Sequence, residues 1–370
     1  MKKDIYVTRP FLPDKELFKH YVDEIWDNQW LTNQGPLHER FCNELKNYLK
    51  APYVTPTVNG HLALEIAIKG LGLSGEVITT PFTFASTIHA LSLNNIKPVF
   101  ADIKENDFTL DPDTIEPLIT DKTTAILPVH VYGHVCDVNK IDEIAKKHNL
   151  KVIYDAAHAF GVKKDGQSIG LYGDVSMFSF HATKLFNTIE GGALVYRNPE
   201  YVHIFNSYKN FGIESEEVVA YVGGNAKMNE FQAAMGLSNL PYMKEIINDR
   251  KQSTLRYREL LSDIKGVRFF MPESQEGIEY NYSYFPIEIT ADAKITRDDL
   301  YSRLKQSNIF SRKYFYPIAT QFECYKKYDH ASNIPVARKA GASVLSLPLY
   351  YHMGLDTVEY VCEKIASALK

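Results

Sequence analysis

Short apolar runs alternate with helical patterns from about Pro56 to Arg197, and few folds accommodate this rhythm. The runs are EVITTP, KPVFADI, TAILPVHVYG, KVIYDAAHAFG, DVSMFSFH and GGALVYR. Strands that alternate with crossover helices build a mostly parallel sheet. The sequence therefore predicts an α/β fold around such a sheet.

Two helices can be placed in this region. Ile141, Ile144 and Ala145 fall at positions i, i+3 and i+4, and an N-cap is expected at Asn139. A second helix is predicted to begin at Gly60, in the segment HLALEIAIKG. Its apolar residues face most directions, so we expect it to be buried.

The pattern changes after Pro241, where one long charged helix is predicted from Ile246 to Ile264, followed by the strand-like segments GVRFF and YSYFPIEI. A closing helix has a regular packing face, formed by Val358, Val361, Cys362, Ile365 and Leu369. A chain of 370 residues exceeds what one core usually organises. We therefore expect a large domain of residues 1–243 and a smaller α+β domain of residues 244–370.

Composition excludes several classes of protein. An apolar fraction of 45% with 20 Gly, 17 Pro and 4 Cys is not that of a disordered chain, a collagen or a disulfide scaffold. The charges sum to 41 − 45 = −4, so no nucleic-acid partner is expected. The cysteines form no CxxC pair and have no histidine at zinc-finger spacing, so we expect free thiols and no metal site. The N-terminal segment lacks an apolar h-region and no long apolar run follows, which predicts a cytoplasmic protein without a membrane span.

Three polar features follow predicted strands, where an open α/β sheet binds its ligands. Gly60 opens a helix whose free N–H groups favour an anion, although the turn could also be an ordinary connection. Asp155 ends a buried strand and needs a facing cation, unless it only caps the next helix. Lys184 follows the strand that ends in Ser179-Phe180, where a lone lysine is most often a solvated surface residue.

Together these features fit one cofactor, pyridoxal 5′-phosphate (PLP). PLP needs a lysine amine for a Schiff base, an acid against its ring nitrogen, a site for its phosphate and an aromatic face for its ring. Phe84, in the segment after the strand EVITT, supplies the aromatic face. The four features in this order are far more specific than any one alone.

The chain resembles the DegT/DnrJ/EryC1/StrS family of PLP-dependent nucleotide-sugar aminotransferases. The resemblance runs through nearly the whole chain, in the segments WLTNQGP, NGHLAL, TPFTFAST, VIYDAAHAFG, FSFHATK, EGGAL, GGNAKMNEFQAAMG and VLSLPLY. It implies fold type I, in which a large sheet domain binds the cofactor and a smaller C-terminal domain packs against it.

The resemblance also implies roles for individual residues. Lys184 would form the Schiff base and then move a proton between substrate and cofactor, while Asp155 would pair with the ring nitrogen. His158 would lie beside the ring oxygen, unless it is only a satisfied histidine at a strand end. Phe84 would stack on the ring, and Ser179 would bind the phosphate together with backbone N–H groups.

Those backbone groups belong to Gly60 and His61. The family usually has Gly-Thr-Ala or Gly-Ser-Ala at this turn, so a hydroxyl contact is lost here and a side-chain role for His61 stays open. Asn225 matches an asparagine that reaches the phosphate of the neighbouring subunit. The resemblance therefore implies a homodimer with a shared active site.

Substrate specificity is the next implication. His181 precedes the lysine as it does in members that act at C4 of the sugar, although it could simply pack under the loop. The segments around it most resemble enzymes that make dTDP-4-amino-4,6-dideoxy-D-glucose from the 4-dehydro-6-deoxy sugar, with L-glutamate as the amino donor. Lys209 and Arg312 are candidates for the diphosphate, and each could equally be a solvated surface charge.

Three alternatives stay open at this point. A member of the same family could act at C3 or use a UDP- or GDP-sugar. A sugar 3-dehydratase is disfavoured because those enzymes have histidine where this chain has Lys184. A non-catalytic regulator that binds PLP or a nucleotide sugar is disfavoured because every position that the chemistry needs is occupied.

Overall fold

The computed structural model describes residues 4–270, 277–329 and 333–370. Its strands are β1 (Ile5–Tyr6), β2 (Tyr53–Thr57), β3 (Glu76–Thr79), β4 (Lys97–Phe100), β5 (Thr123–Leu127), β6 (Lys151–Asp155), β7 (Lys163–Lys164), β8 (Gln167–Ser168), β9 (Val175–Ser179), β10 (Gly192–Tyr196), β11 (Val267–Phe269), β12 (Ile278–Glu279), β13 (Phe285–Ile289), β14 (Ile309–Phe310) and β15 (Val344–Leu347). Its α-helices are α1 (Lys15–Asn28), α2 (Pro36–Leu49), α3 (Gly60–Gly70), α4 (Ala85–Leu93), α5 (Val138–Lys147), α6 (Glu200–Lys209), α7 (Glu230–Asn239), α8 (Met243–Leu261), α9 (Arg297–Gln306), α10 (Pro335–Ser343) and α11 (Leu355–Leu369). Short 3₁₀ helices occupy Pro112–Thr114, Glu116–Leu118, Val131–Gly133, Ile169–Leu171, Leu240–Tyr242, Ala319–Gln321 and Glu323–Tyr328.

Seven strands form the central sheet in the order β2-β10-β9-β6-β5-β3-β4. The five strands from β9 to β4 are parallel, and β10 is antiparallel to both of its neighbours. All six predicted apolar runs form strands of this sheet. The prediction of a mostly parallel α/β sheet is therefore confirmed.

The seventh strand, β2, lies outside the alternation that the sequence predicts. It contains Pro56, which has no N–H to donate and therefore argues against a strand. β2 is at the end of the strand order and pairs with β10 alone, with Pro56 opposite Ala193. An edge strand tolerates proline, and this is why the prediction misses it.

Helix boundaries differ from the predicted ones at the start of α5 and at both ends of α8, which ends at Leu261 rather than at Ile264. The N-cap of α5 is Asp137, whose side chain accepts a hydrogen bond from the Lys140 N–H (3.2 Å), so the prediction of Asn139 as the cap is wrong. Asn139 lies inside the first turn instead, because Asp137 offers an acceptor earlier in the chain. The long helix α8 begins at Met243, directly after a 3₁₀ turn, three residues before the predicted start.

Apolar side chains pack on both sides of the central sheet and in a separate C-terminal cluster. That cluster lies between α8, α9, α11 and the sheet β11-β13-β15, and it includes all five residues of the predicted face of α11. A further cluster joins Phe82, in the loop after β3, to Phe270 and Phe315. The division between residues 243 and 244 stays a prediction, and residues 1–3 of the first range lie outside the described residues.

The four cysteines Cys42, Cys136, Cys324 and Cys362 are free thiols. Within the described ranges, no cluster of three or more His, Cys, Asp or Glu side chains is arranged to bind a metal ion. None of the helices in those ranges is long and apolar enough to cross a membrane.

Candidate active site

Residues at or just after the ends of β2, β3, β5, β6 and β9 line one cavity of about 290 Å³. Nine of the eleven predicted site residues are on its wall: Gly60, His61, Phe84, Asp155, His158, Ser179, His181, Lys184 and Arg312. Parallel strands bring distant chain segments to one edge of the sheet, and this explains why these residues meet.

The N-terminus of α3 points into this cavity. Asn59 caps the helix by accepting a hydrogen bond from the Leu62 N–H (2.8 Å), which leaves the first backbone N–H groups of α3 available. A Cβ on Gly60 would be 2.9 Å from Met177 Sδ, and one on Gly192 would be 2.7 Å from the Gly60 backbone nitrogen. Neither glycine position therefore has room for a side chain. The turn presents backbone N–H groups as a site for an anion.

The His61 side chain is held by neighbours on its own side of the turn. Its Nδ1 is 2.9 Å from Ser86 Oγ, and its Nε2 is 3.3 Å from a Glu65 carboxylate oxygen. Both ring nitrogens are thus engaged within the protein. An anion at the turn would be bound by the backbone N–H of His61 rather than by its imidazole.

Asp155 is a buried carboxylate whose two oxygens each accept a hydrogen bond. Thr87 Oγ1 donates to Oδ2 (2.7 Å), and the Ala157 N–H donates to Oδ1 (3.1 Å). Burial nevertheless raises the pKa of Asp155. The hydrogen bonds orient the carboxylate but do not replace its hydration, so a cation placed against it would be strongly favoured.

Lys184 lies in a tight turn after β9, where its backbone N–H donates to the His181 carbonyl oxygen (2.8 Å). Burial lowers the pKa of the Lys184 amine, Tyr314 and Asp155 oppose this shift, and Arg312 adds to it. The amine is therefore easier to obtain in its neutral, nucleophilic form than a surface lysine.

His158 is buried, and its tautomer is determined by one hydrogen bond. The Tyr132 N–H donates to His158 Nδ1 (3.0 Å), so the proton of the neutral ring is on Nε2. Burial lowers the pKa of His158 well below its ordinary value, with Lys184 contributing. The ring lies almost parallel to Phe315 (6.1 Å, 7°) and presents a neutral N–H donor.

His181 and Arg312 are on the wall of the same cavity. His181 Nδ1 accepts a hydrogen bond from the Thr183 N–H (3.2 Å), and its Nε2 is 3.4 Å from Glu190. The Arg312 guanidinium lies over the Tyr314 ring (4.8 Å). Phe84 is 56% exposed, so its ring is available to contact a ligand.

Sequence reasoning assigned no function to several other residues of the site. Thr83, Ser86 and Glu190 line the cavity, and Thr87 bonds to Asp155 from the same helix as Ser86. These residues are within segments that carry the family resemblance, so their position along the chain is a usable signal. Tyr314 and Phe315 line the cavity from the C-terminal region.

Two predicted residues do not reach this cavity within one chain. Lys209 lies on the wall of a second cavity. Asn225 is exposed and forms a backbone bridge with Asn210. The predicted contact of Asn225 involves a neighbouring subunit, so it stays a prediction.

An anion site, a buried carboxylate and a lysine with a lowered pKa around one cavity are the groups that a PLP-dependent enzyme needs. The chain belongs to the DegT/DnrJ/EryC1/StrS aminotransferase family, whose model matches residues 13–366.

Two curated relatives match nearly end to end. A dTDP-4-amino-4,6-dideoxy-D-glucose transaminase from Shigella dysenteriae is 43% identical, with 99% of each chain covered. A transaminase of the same name from Escherichia coli is 40% identical, with 96% of each chain covered. Among solved structures, DesI in the presence of its TDP-sugar product is 34% identical, with a TM-score of 0.95 over 100% of this chain and 94% of that one. The fold-type-I prediction is confirmed.

Proposed function

We propose that this enzyme transfers the amino group of L-glutamate to C4 of dTDP-4-dehydro-6-deoxy-D-glucose and produces dTDP-4-amino-4,6-dideoxy-D-glucose. The observation that carries the proposal is the meeting of Lys184, Asp155 and the N-terminus of α3 in one cavity. The choice of substrate rests on the relatives named for this product, at 43% and 40% identity. Identity falls to 31% for a GDP-perosamine synthase from Escherichia coli O157:H7, so a GDP-sugar is disfavoured.

The residues of the cavity fit PLP. Asp155 is a buried carboxylate without an ion pair among the described residues, and the protonated ring nitrogen would place a cation directly against it. The first N–H groups of α3, together with Ser179, would hold the phosphate. His158 would donate its Nε2–H to the ring oxygen, and Phe84 would cover one ring face. When bound, PLP withdraws electrons from the carbon that carries the amino group.

Lys184 is the residue that would move the proton. Its Nζ would accept a proton from the α-carbon of glutamate and, in the second half of the reaction, deliver one to C4 of the sugar. The lowered pKa of Lys184 keeps part of the amine neutral and able to act as a base. Asp155 and His158 would fix the orientation of the PLP ring relative to the Lys184 amine. The aromatic side chains of Phe84 and Phe315 would exclude water.

The nucleotide sugar would enter beside His181 and Arg312. Arg312 is a cation on the cavity wall that would pair with the diphosphate, while His181, held by Thr183 and Glu190, would contact the sugar near C4. We place the reaction in the cytoplasm, in O-antigen or related polysaccharide biosynthesis, because its product is an activated amino sugar.

We also propose a homodimer in which Asn225 reaches the partner's phosphate site. The loop that carries Asn225 exposes apolar side chains, among them Val219 (67%) and Val222 (88%). Contiguous exposed apolar residues of this kind are typical of protein interfaces. Sedimentation should therefore show a dimer, and mixing an Asn225 variant with a Lys184 variant should give hybrid dimers whose activity reports the shared site.

The reaction is tested by incubating the enzyme with L-glutamate and either the dTDP- or the UDP-linked 4-keto-6-deoxy sugar, followed by NMR of the product. A 4-amino product from the dTDP substrate supports the proposal, and amination at C3 or of the UDP-sugar alone contradicts it. Lys184→Ala should abolish turnover, whereas the exposed Lys122→Ala should retain it. Glutamate-dependent amination by Lys184→Ala would overturn the assignment of Lys184.

A further inference from the structure

A second cavity of about 290 Å³ lies between α2, α6 and the edge strand β2. It shares no lining residue with the cavity that holds Lys184. Its polar lining includes His38, Asn43, Lys46, Asn206 and Lys209. The reaction proposed above uses none of these side chains, so they require a separate explanation.

Lys209 is the most unusual of them. It is 3% exposed, and in the part of the chain that the structure describes, its ammonium group has neither a hydrogen-bond acceptor nor a carboxylate partner. Burial lowers the pKa of Lys209 to about 8, and Lys227 adds to the shift. A buried ammonium group without a counter-charge is unfavourable, and a nearby anion would relieve that cost.

His38 lies in the same cavity and is also unsatisfied. It is 5% exposed, and neither Nδ1 nor Nε2 has a hydrogen-bond partner among the described residues. Burial lowers the pKa of His38 to about 4, with Lys209 contributing, so the ring is neutral at pH 7 and carries one N–H donor. Two polar side chains, each more than nine-tenths buried, therefore line one cavity without a hydrogen-bond partner among the described residues.

We propose that this second cavity binds a phosphate-class oxyanion, with Lys209 as its charge partner and His38 as a hydrogen-bond donor. Lys46 and the amides of Asn43 and Asn206 supply further donors. Lysine contacts phosphate as a point charge, whereas a planar carboxylate is typically bound by the paired N–H groups of arginine. No arginine is among the described residues that line this cavity, and its one carboxylate, Glu39, is exposed at the surface.

The bound anion would connect three elements of the fold. Lys209 ends α6, His38 belongs to the first turn of α2, and β2 forms the floor of the cavity. The proposal does not depend on the amino-transfer reaction, because the two sites share no residue.

The test is chemical labelling of Lys209 in the PLP-loaded enzyme, so that the phosphate site of the cofactor is already filled. Acetic anhydride at pH 8 acetylates neutral amines, and peptide mass spectrometry would report the rate at Lys209 and at the exposed Lys50. Inorganic phosphate at ten times its dissociation constant should slow labelling of Lys209 about tenfold, because about nine-tenths of the sites are filled. Labelling of Lys50 should not change, and sodium chloride at equal ionic strength should protect neither residue.

Parallel arms with dTDP and succinate identify the source and class of the anion. Protection by phosphate alone indicates a free anion, and protection by dTDP as well indicates a nucleotide diphosphate. Protection by succinate but not by phosphate would overturn the proposal. So would equal labelling with and without phosphate, or a Lys209 that never reacts while Lys50 does.

A second measurement uses the matched variants Lys209→Met and Lys50→Met. Phosphate should raise the melting temperature of the PLP-loaded wild type and of Lys50→Met, but not that of Lys209→Met. An equal increase in all three proteins would overturn the proposal. If Lys209→Met does not fold, the labelling experiment on the wild type decides alone.

Discussion

Gly192 is the residue whose enlargement should disturb the cofactor site most directly. It begins β10 and packs against the turn that opens α3. A Cβ at this position would lie 2.7 Å from both the carbonyl carbon of Asn59 and the backbone nitrogen of Gly60. Both neighbours are backbone atoms, so no change of rotamer can relieve the contact. Gly192→Ala is therefore expected to push the first turn of α3 away from β10.

The size of this displacement follows from the contact distances. Ordinary van der Waals contact for a Cβ begins at 3.4 Å, so the turn must move by 3.4 − 2.7 = 0.7 Å. Forced expansion of a packed site costs about 1–3 kcal/mol. Cofactor binding requires the turn in its original position, so this strain opposes binding. Since about 1.4 kcal/mol corresponds to a factor of ten, the dissociation constant of PLP should rise about fivefold to 150-fold.

The assay is titration of the cofactor-free variant with PLP, followed by absorbance, with circular dichroism to confirm folding. Gly60→Ala is the comparison, because its nearest contact is the flexible Met177 side chain, with Sδ at 2.9 Å. The expected order of weakening is Gly192→Ala above Gly60→Ala above wild type. A folded Gly192→Ala that binds PLP like the wild type, or the reverse order, would refute the steric reasoning.

Two further predictions concern pH. Burial raises the pKa of Asp155 above its unfolded value, so the cofactor-free protein loses stability as pH rises through that pKa. The melting temperature of Asp155→Asn relative to that of the wild type should therefore increase from pH 4 to pH 7. A constant difference between the two proteins would contradict this prediction. Burial lowers the pKa of His38 to about 4, so its contribution to stability is lost as pH falls below the unfolded value. Urea denaturation in phosphate-free buffer should show His38→Phe gaining about 2 kcal/mol on the wild type between pH 7 and pH 5, and parallel pH profiles would refute that.

The central sheet and half of the site could be predicted because the signal is local. A buried parallel strand is a short apolar run, and its last residue meets the ligand edge of the sheet. Asp155 and Ser179 end such strands, and Lys184 follows one after a short turn. Their position along the chain therefore indicates their position in space. Thr87 is different, because only the structure shows its hydroxyl against Asp155.

Residues that arrive from a distant part of the chain could not be placed in this way. Tyr314 and Phe315 reach the cavity because the C-terminal region packs on the large sheet, and that packing leaves no periodic signal near them. The sequence does not distinguish Arg312 from Lys209 as a candidate to contact the diphosphate. The structure separates them, since Arg312 lies on the wall of the site while Lys209 is buried in another cavity.

Burial shifts the pKa values of Asp155 and Lys184 in opposite directions, and each shift favours the neutral form. Both groups would be charged at neutral pH in water, so burying them in the cofactor-free protein costs free energy. A ligand with a cationic ring and a carbonyl group that reacts with an amine relieves both costs at once. The proposed cofactor is thus one whose charge and reactivity complement the cavity, and the same reasoning supports the oxyanion proposed as the partner of Lys209.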